Sequence, residues 1–180
     1  MATRPDRRVR RTKELLHRAL IELLLEKGYS RTTVQDILDR ADVGRSTFYS
    51  HYRDKDDLLL VSCTEYLRTA VSEPDTSETP LWKPVHTILT LAERHREVYR
   101  ALVGKRSSAV LIRATQQMVR DILVDHLRGR LIVDNRDFDS MLTFLSWGVT
   151  GLIGSVADES ASAKDAFTAF ENLAGHEARR

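Results

Sequence analysis

Between Thr32 and Leu59 the sequence reads TTVQDILDRADVGRSTFYSHYRDKDDLL, and the break at ADVG constrains the fold more than any other feature. Val34, Ile37, Leu38 and Ala41 recur at helical spacing before the break, and Phe48 and Tyr52 share one helical face after it. Two short helices must therefore meet across a tight turn. Val43 is the expected apolar plug in that turn and Gly44 a permissive cap. Thr33 is placed to cap the first of the two helices, with Asp36 three residues on at the positive end of its dipole. Upstream, Leu16, Ala19, Leu20, Leu23 and Leu24 predict a helix over Thr12–Lys27, closed by Gly28, where a left-handed residue commonly ends a helix.

Three short helices joined by tight turns make a helix-turn-helix domain. A fourth helical pattern, Lys55 to Val71, follows through Leu58, Leu59, Cys63, Tyr66, Leu67 and Ala70, and links the halves of the chain. The acidic, proline-bearing stretch SEPDTSETP, Ser72 to Pro80, predicts a loop. Further helical patterns cover Leu81–His95, Arg96–Val103, Ser107–Gly129, Phe138–Val156 and Ala161–Ala174, and no strand alternation is present. The expected fold is all-α. Residues 1–55 form the helix-turn-helix domain, with 1–11 a mobile basic arm, and residues 56–180 form a larger helical bundle.

Charge is divided unevenly along the 180 residues. Residues 1–55 hold 13 Lys+Arg against 8 Asp+Glu, an excess of +5; residues 56–180 hold 15 against 18, an excess of −3. A basic head favours a polyanionic partner. No apolar run approaches the roughly 18 residues of a membrane span, and MATRPDRRVRRTK lacks the apolar core of a signal peptide, so the expected location is cytoplasmic, with no membrane partner. A single cysteine, Cys63, offers neither a disulfide nor a zinc ligand set, and no cofactor or metal is expected.

The side chains after ADVG divide between two tasks. Phe48 and Tyr52 hold their helix down, while Arg45, Ser46 and Thr47 stand at its N-terminal end, where a helix in a major groove reads bases. Tyr49 and His51 carry donors that reach phosphate oxygens, and Lys55 lies one turn further along. EKGY (Glu26–Tyr29), TTVQDIL (Thr32–Leu38), ADVGRSTFYSHY (Ala41–Tyr52) and KDDLL (Lys55–Leu59) together make Arg11–Leu60 resemble the DNA-binding domain of the TetR family of bacterial transcriptional repressors. That resemblance implies that Thr33, Thr47, Tyr49, His51 and Lys55 hold the DNA backbone while Arg45 and Ser46 face bases. Gly44 departs from the serine cap of many members. The basic arm, Arg4, Arg7, Arg8, Arg10 and Arg11, has two open readings, minor-groove contact and a solvating tail.

Catalytic motifs are incomplete. VGKRS, Val103 to Ser107, lacks the earlier glycine and the strand of a phosphate-binding loop, and DNRDFD, Asp134 to Asp139, lacks the spacing and glycine of a calcium loop, Asp137 reading better as a helix cap. His86, His95 and His126 have no matched base or nucleophile. The resemblance implies a small-molecule effector in the C-terminal bundle, and Tyr66, Trp82, His86, Tyr99, Met118, Met141, Phe144 and Trp147 are candidates to line its cavity; plain core packing is the competing reading. Gly148, Gly151 and Gly154 remove side chains along a stripe that includes Leu152. Three helical glycines imply close approach to another backbone, either a neighbouring helix or, as the resemblance favours, a twin subunit that also meets Phe167 and Phe170. The expectation is thus a homodimeric regulator of duplex DNA, a repressor and not an enzyme, binding a near-palindromic operator and released by an effector. The alternative is a helical small-molecule binding or enzymatic protein with a degenerate DNA-binding head.

Overall fold

The structure, a computed structural model, describes residues 7–71, 80–131 and 134–174, without the side chains of residues 135 and 136. The described residues are helical and turn segments without a strand: α1 Arg7–Lys27, a 3₁₀ turn Tyr29–Arg31, α2 Val34–Ala41, α3 Arg45–Tyr49, α4 Lys55–Val71, α5 Lys83–Arg94, α6 Arg96–Val103, α7 Ala109–Leu127, α8 Asn135–Ala157 and α9 Ala163–Ala174. They divide into two compact units, Met1–Cys63 and Thr64–Arg180. The division falls within α4, whose first residues, Lys55 and Asp56, bond back to the turn after α1.

In the first unit α1 buries Leu16, Ala19, Leu20, Leu23 and Leu24, and α2 packs on it through Ile37, Leu38 and Ala41. Gly28 takes φ 81° after α1, as the spacing required. The reversal after α2 is made by Asp42 at φ 52° and not by Gly44, which caps α3 at φ −66° with no side-chain bond. α3 ends at Tyr49, short of the expected Tyr52, yet the amides of His51 and Tyr52 both donate to the Phe48 carbonyl at 2.9 Å, so Tyr52 still turns into the core. Cys63 is buried, and burial pushes its thiol up to about 12. The arm differs from expectation: Arg7, Arg8, Arg10 and Arg11 form the first turns of α1, where Thr12 donates to the Arg8 carbonyl, while Met1–Asp6 lie outside the described residues. Residues 7–11 are therefore helical and not an extended tail.

In the second unit α8 is central and packs against α5, α6, α7 and α9. Its stretch Asp137–Ala157, with mean hydropathy 1.4, has the length and composition of a membrane span, contrary to the sequence expectation; Leu142, Val149, Ile153 and Val156 bury the apolar excess inside the unit. Asp137 lies inside the first turn of α8 instead of capping it. Ser108 caps α7 by accepting from the Leu111 amide at 3.2 Å, and Pro84 sits in the first turn of α5. The loop expected over Ser72–Pro80 lies outside the described residues except Pro80. Arg100 on α6 donates to the Ala157 carbonyl at 2.7 Å and pairs with Asp158 and Glu159, satisfying the C-terminal end of α8. Between α7 and α8 the buried Gln116 donates to Ser146 at 2.6 Å.

VGKRS is the turn from α6 towards α7, and its glycine has a steric cause. A Cβ on Gly104 would collide with the Arg100 carbonyl and side chain. Gly104→Ala should therefore lower the melting temperature, at a cost of about 1–3 kcal/mol read by thermal denaturation; an unchanged melting temperature would show that the turn yields.

Candidate nucleic-acid interface

The head is assembled from local contacts. Thr33 and Asp36 close a reciprocal capping box at the start of α2: the Asp36 amide donates to Thr33 Oγ1 at 3.1 Å and the Thr33 amide to Asp36 Oδ2 at 2.7 Å. Lys27 at the end of α1 reaches the same carboxylate at 2.7 Å. Lys27 and then Thr33 hold the Asp36 carboxyl well below the usual carboxylate range. Arg40 on α2 meets Glu26 at 2.8 Å and Glu22 at 3.3 Å on α1, and it draws the Glu26 carboxyl down. These ties fix the second helix on the first before α3 begins.

α3 then buries Phe48 completely, and Tyr52 follows it inward with ring centroids 5.8 Å apart. With about 100° between successive helical residues, burying Phe48 turns its neighbours out. Arg45, Ser46 and Thr47 are exposed, and Tyr49 is 50% exposed, edge-on to Phe48. His51 is half-buried against Tyr52 just beyond the helix. The structure thus brings Arg45, Ser46, Thr47, Tyr49 and His51 onto one short segment. Arg45 donates to the side-chain Oε1 of Gln35 on α2 at 2.7 Å, a partner that no sequence spacing announces.

Two expected backbone contacts are otherwise engaged. The exposed Thr33 hydroxyl is shared with Asp36 at 2.6 Å. Lys55 Nζ donates to the carbonyls of Tyr29 at 3.0 Å and Thr32 at 2.8 Å and lies 4.4 Å from the Tyr29 ring centroid. The Tyr29 hydroxyl donates in turn to Asp56. Burial and then the Asp56 carboxylate push the Tyr29 hydroxyl far above its ordinary pKa. Tyr29 and Asp56 enter the sequence reading only as members of EKGY and KDDLL; their pairing does not, since a half-buried tyrosine and an acid 27 residues apart carry no periodic signal.

The eight effector candidates differ in burial. Phe144 and Trp147 are 72% and 46% exposed on the outer face of α8, so they are withdrawn as cavity lining. Trp82 stands edge-on to Phe170 at 5.1 Å and the exposed His86 to Phe167 at 4.9 Å, which makes both contacts between α5 and α9. Tyr66 is exposed, edge-on to His95. Tyr99 and Met118 are buried and Met141 is half-buried. Among the expected dimer residues, Phe170 is 6% exposed, already covered within its own unit, where Trp82 stands against it. Gly148 and Gly151 are exposed with open space at their Cβ positions, and Leu152 and Phe167 are half-buried, whereas Gly154 faces the Val103 carbonyl of α6.

Comparison with known proteins follows the same division. Residues 16–61 match the family described as bacterial regulatory proteins, tetR family. An uncharacterised HTH-type transcriptional regulator of Bacillus subtilis, YxbF, is 40% identical over 77 residues, covering 39% of this chain and 20% of that protein. The HTH-type transcriptional regulator TcmR of Streptomyces glaucescens is 38% identical over 55 residues, covering 31% of this chain and 24% of its own length. The chain thus spans about a quarter of the length of these curated relatives. The fold resembles a TetR transcriptional regulator from Streptococcus agalactiae, with a TM-score of 0.61, 24% identity and coverage of 93% of this chain and 96% of that one. A TetR-family regulator from Syntrophomonas wolfei aligns with a TM-score of 0.56 at 17% identity, over 91% of this chain and 93% of that one. The head, residues 16–61, is thus similar in sequence to the DNA-binding region of the tetR family of bacterial regulatory proteins, and the helical fold is similar to that of solved TetR regulators.

Proposed function

We propose that the protein is a transcriptional repressor that binds a near-palindromic duplex operator as a homodimer in the bacterial cytoplasm and is released by a small-molecule effector, with no enzymatic role. The observation that carries this reading is α3, where the buried Phe48 and Tyr52 leave Arg45, Ser46, Thr47 and Tyr49 facing outward. Arg45 is the base reader, with Ser46 beside it; Thr47, Tyr49 and His51 meet phosphates. Arg45→Ala should cost about 1–3 kcal/mol and relax base preference at one position, whereas Tyr49→Phe should weaken all sequences alike. Titrations of labelled duplexes with randomised half-sites give the test. A double variant that binds its best site as tightly as wild type would remove α3 from the interface.

The second copy is assigned to the outer face of α8. Phe144, Trp147, Gly148 and Gly151 lie at helical spacing on one exposed stripe, and the two glycines leave room for close backbone approach. With α9 this stripe supports a four-helix contact across a two-fold axis, setting the reading helices about 34 Å apart. Light scattering should return about twice 20.6 kDa. Gly148→Leu with Trp147→Asp should return the monomer mass; a dimer that survives this pair would move the interface elsewhere.

Release needs an element common to reading and sensing. α4 begins in the first unit and ends in the second, with Lys55 bonded beside the head and Tyr66 against His95. Tyr99, Met118 and Met141 remain the sequence candidates whose burial suits an apolar or flat aromatic effector. An effector that prefers the DNA-incompetent arrangement by about 1–3 kcal/mol lowers DNA affinity some 5- to 150-fold, and operator DNA must weaken the effector equally. Effector affinity measured with and without operator should differ by that factor. Equal affinities would leave the protein a DNA binder without this release mechanism.

A further inference from the structure

We infer that Tyr29, Lys55 and Asp56 form a positioning latch that sets the orientation of the DNA-reading head, with Lys55 acting on the protein's own carbonyls and not on phosphate. The inference rests on the DNA-binding reading and concerns how the interface is held. Two adjacent residues in the first turn of α4 grip one turn of chain from opposite sides. Lys55 Nζ donates to the Tyr29 carbonyl at 3.0 Å and the Thr32 carbonyl at 2.8 Å, with its charge 4.4 Å from the Tyr29 ring centroid. Asp56 accepts from the hydroxyl at the far end of the same tyrosine. All three side chains are half-buried. An ammonium whose donors meet two carbonyls and a ring face is directed and partly desolvated, unlike a flexible phosphate-seeking lysine.

The gripped turn is the one that launches α2. Thr32 is buried, and the next residue, Thr33, is the cap whose box with Asp36 and Lys27 fixes the start of that helix. α2 in turn carries Gln35, which holds Arg45. A chain of directed contacts therefore runs from the first turn of α4 through Thr32 and the capping box to the base-reading arginine. Loosening the latch misplaces Arg45 without removing any group that touches DNA.

The competing role makes opposite predictions. A lysine on phosphate contributes a salt slope of about 0.9 in log K against log salt, and an acid beside a polyanion opposes binding. Operator binding by the full chain should be titrated across a salt series for wild type, Lys55→Met, Asp56→Ala and Asp56→Asn, at a temperature where melting curves show each folded. The latch predicts that Lys55→Met weakens binding about tenfold or more with the wild-type slope. It also predicts that Asp56→Ala weakens binding several-fold, although a negative charge has been removed. Asp56→Asn, which keeps an acceptor for Tyr29 while dropping the charge, should regain most of that loss. Tighter binding by Asp56→Ala, or a slope shallower by about 0.9 in Lys55→Met, overturns the latch while leaving the DNA-binding reading intact. Should Lys55→Met not fold, the two Asp56 variants decide the matter alone. Wild type that binds no duplex DNA would overturn both readings together.

Discussion

A helix of five residues has no stability of its own, because fixing its first turn costs more than its few hydrogen bonds return. α3 exists because Phe48 is completely buried and Tyr52, tied by its amide to the Phe48 carbonyl, is buried beside it. The exposed face of α3 follows from that anchor. Once one side chain is pinned inward, helical geometry presents Arg45, Ser46, Thr47 and Tyr49 outward. The upstream elements serve the same constraint. Asp42 in the left-handed region reverses the chain so that α3 returns over α2, and Lys27, Asp36 and Arg40 hold α2 against α1.

This head was legible in the sequence to within a few residues because its determinants are local. The apolar spacing of α1 and α2, the Thr33 cap and the Gly28 stop each follow from rules acting over one or two turns. Where several neighbours compete, local rules were less exact. Gly44 is flexible enough to reverse the chain, yet Asp42 does so, since the short polar side chain of aspartate also tolerates that conformation. The basic arm lacked apolar spacing and read as a mobile segment, but Val9 and the long arginines do not oppose a helix already nucleated below them.

The site was legible in its residues and less so in their partners. Sequence spacing places Arg45 and Tyr49 on a helix face but gives no sign of Gln35 or of the Tyr29 to Asp56 contact, which depend on tertiary proximity. A lysine stem spans several ångströms, so its position on a helix does not reveal whether the amine meets solvent or a carbonyl. The C-terminal unit shows the same limit for apolar residues. Periodicity identifies Phe144, Trp147 and Phe170 as apolar at helical spacing, but not that Phe170 is covered by its own chain while the other two are exposed. Apolar type reports a need for cover, and only the packing shows what provides it.

The glycines of α8 carry that distinction furthest. Gly154 has an internal neighbour, since a Cβ there would lie 3.4 Å from the Val103 carbonyl of α6. Gly148 and Gly151 have none within the chain, although each costs about 1 kcal/mol of helix stability against alanine. On the same stripe Phe144 and Trp147 keep apolar area in water that a folded monomer would gain by burying. Both features oppose the stability of an isolated chain, and both favour close contact with a second helix. Such contact would also serve the head. One α3 offers few base-reading groups, but two heads held at fixed separation make the second half-site contact intramolecular, raising affinity through effective concentration without any new residue at the DNA. In the proposed dimer the exposed stripe of α8 and the exposed face of α3 would serve one binding event from two different units of the chain.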